Sequence, residues 1–105
     1  MEINVVLASM MQAIKNNVGE NWNTVKEKTN QMLENKKERL ALLAELTINK
    51  ELTFKQFQSK LEDEKQMIIA ELHVTAILSK ATAQKAANAA IDVLSTSVKT
   101  AIKIL

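Results

Sequence analysis

His73 is the only imidazole in the chain, and Glu62, Asp63 and Glu64 form its densest run of carboxylates. An imidazole can ligate a metal or move a proton near neutral pH. A metal site built on one helix needs a second ligand three or four residues away. Those offsets from His73 hold Ile69, Ala70, Ala76 and Ile77, none of which can ligate. Glu71 stands two residues off and projects from another side of a helix. The Glu-x-x-His pairs of bundle di-iron sites do not occur. Three consecutive carboxylates on a helix fan out in different directions, and neighbouring lysines keep them ionised. With no Cys there is neither thiolate chemistry nor a disulfide framework. A single Gly cannot make a phosphate-cradling loop. The expectation is a protein that is not an enzyme, with no catalytic, cofactor-binding or metal-binding residues.

The basic residues are equally unspecific. Lys36, Lys37 and Arg39 make the densest positive cluster, but Glu34 and Glu38 interrupt it. No aromatic side chains are interleaved for base stacking, so no nucleic acid is expected. Residues 1–35 carry net charge −1, residues 36–72 carry 0 and residues 73–105 carry +3. Residues 86–105 are amphipathic, with Ala87, Ala90, Ile91, Leu94, Val98, Ala101 and Leu105 on one face and Lys85, Asp92, Lys99 and Lys103 opposite. Surface-binding helices put bulky aromatic or Leu side chains on the apolar face. This one is rich in Ala and Val, so a bundle helix is the better reading and membrane contact is not expected. No apolar run reaches the ~18 residues of a membrane span. Residues 3–14 are apolar but follow Glu2 rather than a basic segment, unlike a targeting signal. A soluble, cytoplasmic protein is expected.

The elements that would position these groups are helices. The 105 residues contain one Gly and no Pro, and Ala, Leu, Lys, Glu, Gln and Met are plentiful. Without turn-makers, several tightly connected strands are excluded. The class is all-α, in a single domain spanning 1–105. One joint stands out, "INKELTFKQF" at 48–57. Thr53 and Gln56 have the spacing of a capping box, with Leu52 and Phe57 placed as a hydrophobic staple. Asn49 suits the left-handed termination of a preceding helix. The chain thus reads as a long antiparallel hairpin with a coiled-coil-like seam: arm 2–48, turn 49–53, arm 54–105. Continuous arms of this length would each measure ~70–80 Å.

The seam steps through Val18, Trp22, Val25, Thr29, Met32, Lys36, Arg39, Leu43 and Leu46. The second arm answers with Phe54, Phe57, Leu61, Glu64, Ile68 and Leu72, then Ala87, Ile91, Leu94, Val98, Ala101 and Leu105. The only Gly, in "NNVGEN", opens an alternative: helices 3–17 and 21–48, and three helices in all. The second arm, including its Ala-rich stretch, is expected to stay helical.

Two features of the hairpin bear on function. Lys36 and Arg39 occupy seam positions, and antiparallel reflection places position 36 opposite ~65 and position 39 opposite ~62, within the run Glu62, Asp63, Glu64, Lys65, so Glu62 and Glu64 are the expected partners. That arrangement is either a register-setting polar layer or a set of long side chains reaching water across the seam. Residues 67–78 are apolar nearly all round, and a single partner arm cannot cover such a helix; either the first arm bends at Gly19 and adds a third helix, or the hairpin self-associates. Met67, Ile68, Ile69, Leu72, Val74, Ile77 and Leu78 are therefore the expected interaction surface. The expected function is a non-enzymatic structural or protein–protein interaction module, self-associating as a helical bundle, with a homodimer favoured. The alternatives are an adaptor that binds another helical protein through 67–78, and a peripheral lipid binder using 86–105.

Overall fold

The computed structural model describes residues 1–74, 76 and 78–104. Among the described residues it is an all-α bundle of four helices, α1 (Ile3–Val18), α2 (Trp22–Ile48), α3 (Phe54–Val74) and α4 (Lys80–Ile104), with a 3-10 turn at Gly19–Asn21 between the first two. Its longest axis is 40 Å, about half the length of the extended arms expected from the sequence. The hairpin is folded back on itself, once at Gly19 and once between α3 and α4.

The first break is the one the lone Gly announces. Gly19 adopts φ 59° and ψ −126°, while Val18 before it and Asn21 after it remain in the right-handed helical region. A side chain at that φ is strained, which is why the bend falls on the residue without one. The second break corrects the expectation of an unbroken arm from residue 54 onward. It lacks Gly and Pro, and is held by local hydrogen bonds instead. The amides of Ala76 and Leu78 donate to the carbonyls of Glu71 and Leu72 at 3.3 and 3.1 Å. Ser79 then caps α4, its Oγ accepting from the Thr82 amide at 3.1 Å.

The joint at 49–53 forms as its residues require. Thr53 Oγ1 accepts from the Gln56 amide at 3.1 Å, and Gln56 Oε1 accepts from the Thr53 amide at 2.9 Å. The left-handed residue is Lys50, at φ 65°, rather than Asn49, at φ −81°. The amides of Lys50 and Glu51 donate to Thr47 and Leu46 at 3.1 and 2.8 Å. These are the two bonds of a Schellman motif with Lys50 where Gly is usual.

The core lies where α4 meets α1 and α3, with α2 closing the remaining side. Ala83, Ala86, Ala87 and Ala90 of α4 are fully buried, as are Met10 and Ile14 of α1. The small side chains let α4 approach closely, and α1 supplies the bulk. Within α2 the buried positions are Val25, Thr29, Met32, Lys36, Leu40, Leu43 and Thr47, flanked by buried Leu33 and Ala44. The seam thus runs through Leu40 and Thr47 rather than through Arg39, which is exposed, and Leu46, which is half-buried.

Candidate functional site

Four charged side chains meet between α2 and α3. Lys36 lies on the buried stripe of α2, and Arg39 lies on its rim less than a turn later. Glu64 and Glu71 stand seven residues apart on α3, two turns along the same face. Lys36 Nζ lies 3.7 Å from Glu64 Oε2 and 3.3 Å from Glu71 Oε1. The Arg39 guanidinium takes Glu64 in a fork, Nε on Oε1 and Nη2 on Oε2, the latter at 3.0 Å. The inner pair is closed off: the Lys36 and Glu64 side chains are each 6% exposed. Arg39 and Glu71, at 51% and 45%, form the outer shell.

Burying two charges costs several kcal/mol per ion unless their geometry is well satisfied. Here every charge in the layer has an opposite neighbour. Among the described residues no buried side-chain nitrogen or oxygen lacks a partner. The arrangement has a chemical consequence. Both oxygens of Glu64 are engaged by cations, and a general base needs a free lone pair within reach of the proton it takes. Sliding or rotating α3 against α2 would leave Lys36 buried without a counter-ion.

Of the expected layer, Lys36, Arg39 and Glu64 come together, and Glu62 does not. Two residues from Glu64, it is turned about 200° around the helix. It pairs within α3, with Lys65 Nζ at 2.7 Å and Gln66 Nε2 at 3.1 Å. The Lys65 hydrogen bond, then that of Gln66, holds its carboxyl below the usual range. Its contribution is present at neutral pH and is lost as pH falls through that lowered value. Glu71 is the member that sequence reasoning missed. Its signal was the seven-residue spacing from Glu64.

The interaction surface expected at 67–78 is largely core. Ile68, Ile69, Leu72 and Leu78 are buried within the single chain, at 0, 8, 1 and 4% exposure. The break after α3 turns α4 back along it, and α2 packs beside it, so the buried apolar side chains of this segment are covered without a second molecule. Met67 and Val74 remain exposed, and Ile77 lies outside the described residues. His73 stands in the last turn of α3, and its Nδ1 lies 2.8 Å from the Leu78 carbonyl oxygen, linking the end of α3 to the segment before α4. On the apolar face expected over 86–105, Ala87, Ala90, Ile91, Leu94 and Val98 are buried, Ala101 is half-buried and Leu105 lies outside the described residues.

Elsewhere, Met1, Glu2, Ile3, Ala41, Glu45 and Ile48 line an open concavity of about 350 Å³. It lies at the end of the bundle that carries the 49–53 turn. Met1, Val5, Leu42 and Ile104 are all at least half exposed; Met1 lines this concavity, and Val5 and Leu42 lie within two residues of its lining residues Ile3 and Ala41. Among the described residues no group of three or more His, Cys, Asp or Glu side chains is placed to hold a metal. No described helix is long and apolar enough to cross a membrane. Compared with protein-family models, curated proteins and solved structures, the chain finds no match.

Proposed function

We propose that the chain is a non-catalytic structural module that works by helix packing and associates with a second copy of itself. The observation that carries this reading is the register of the buried residues across the bend. Leu7, Met10, Ile14 and Val18 of α1 continue through half-buried Trp22 into Val25, Thr29, Met32, Lys36, Leu40, Leu43 and Thr47 of α2. From Leu7 to Thr47 the stripe covers 40 residues in 11 steps, about 3.6 each, which is the turn of a straight α-helix. A stripe broken by a bend has no need to stay in phase. One that keeps phase suits a long helix with a partner along its whole length. The charged layer adds a device for choosing one pairing of α2 with α3, which is what an assembling helix requires.

Self-association links stability to concentration. Thermal unfolding over a wide range of protein concentration should therefore show a Tm that climbs as the protein is concentrated. A Tm independent of concentration would remove this reading.

A second reading has its own observation. Met1, Val5 and Leu42 are exposed near one end of the bundle, as in an adaptor that docks a different protein there. Leu42→Glu separates the two. It leaves the concentration dependence of Tm unchanged if copies associate through the long stripe.

A further inference from the structure

We infer that Gly19 is a hinge through which two copies of the chain exchange α1. This rests on the self-association reading and names the contact that would mediate it. Three observations carry it. First, residues Ile3–Ile48 are helical throughout, as α1, the 3-10 turn and α2. Of the bend, Gly19 alone has a positive φ, with Val18, Asn21 and Trp22 already at right-handed helical angles. Rotating this one residue into the helical region joins α1 and α2 into a single helix of about 70 Å. Second, the buried stripe is in phase across that join, so the straightened helix keeps one apolar face. Third, the face of α1 that opening would expose is the one now packed mainly on α4. A second copy presents the same α4. Exchange therefore needs no new surface, because each α1 finds in the partner the contacts it has left.

The site also permits a clean perturbation. A Cβ built on Gly19 meets nothing within 4 Å, so Gly19→Ala adds no clash. It penalises only the positive φ of the bend, and it favours the straight helix. The closed monomer should lose ground to the exchanged dimer, with the dimer association constant rising at least tenfold. Inserting three glycines after Gly19 relaxes the bend and should reduce dimer formation by a similar factor.

The test uses spin labels. Ala8 and Asn30 line one groove between α1 and α2, both are exposed, and the chain has no Cys of its own. A dilute doubly labelled Ala8→Cys/Asn30→Cys chain gives the distance within one molecule. Chains labelled at Ala8→Cys are then refolded with chains labelled at Asn30→Cys, and distances between molecules are measured by pulsed electron resonance. Exchange predicts that the distance between chains reproduces the distance within one. A dimer lacking that distance overturns the exchange and leaves self-association standing. A single-chain mass at every concentration overturns both. A folded Gly19→Ala protein with no gain in dimer also overturns the hinge. Should that variant fail to fold, as circular dichroism would show, the distances measured with Gly19 intact decide.

Discussion

The extensive pairing of α1 with α4 and the slighter pairing of α2 with α3 are held by opposite means. In the first, fully buried Ala83, Ala86, Ala87 and Ala90 meet a helix whose Met10 and Ile14 are also fully buried. Complementary size holds it, and nothing polar marks one register over another. In the second, Lys36 and Glu64 are buried amid apolar neighbours and clasped by Arg39 and Glu71. Apolar packing is strong but tolerant of sliding, whereas a buried charge layer adds little net stability and punishes error. One half of the bundle supplies adhesion and the other supplies address. The two halves also turn differently: α2 passes to α3 through a closely hydrogen-bonded, capped joint, while α1 passes to α2 through a 3-10 turn that opens on Gly19, its one residue with positive φ.

Substitutions should break this contrast in a defined order. The largest effect belongs to the apolar pairing. Ile14→Ala should cost about 4 kcal/mol in denaturant unfolding, because the alanines of α4 cannot move in to fill the cavity. Next comes the charged layer. Glu64→Ala should cost about 3 kcal/mol by leaving Lys36 short of a counter-ion, while Lys36→Met with Glu64→Leu should recover most of that loss. Failure of the double variant to recover would mean that the carboxylate does more than neutralise Lys36. The smallest effect has the opposite sign. Lys50→Gly should stabilise the protein by about 0.5 kcal/mol, since Gly relieves the left-handed strain but costs more entropy to order. A loss of stability there would show that the Lys50 side chain has a role in the turn.

Which features could be read from the chain follows from how local their causes are. The joint at 49–53 was legible because Thr53 and Gln56 form it from four consecutive residues. The bend at Gly19 was legible as an option, since Gly permits a bend without requiring one. The break between α3 and α4 was not read. Its signal was Ser79 with Thr82, a cap unaccompanied by Gly or Pro. The charged layer was placed in the right neighbourhood by reflection through the turn. Choosing Glu64 over Glu62 required the rotation of α3, and the Phe57, Leu61, Glu64, Ile68 stripe already fixed that. The surface at 67–78 misled because all-round apolarity says how many sides are covered, and not by which chain. Here α4, turned back by the break after α3, and α2 cover them within one chain.

The most direct test of the account is sedimentation velocity on the unaltered chain across a wide concentration range. The account predicts a mass that rises from the 11.7 kDa of one chain to twice that value, with the larger species longer than the 40 Å bundle. A single-chain mass at all concentrations would contradict it, leaving the folded-back bundle as the whole of the structure.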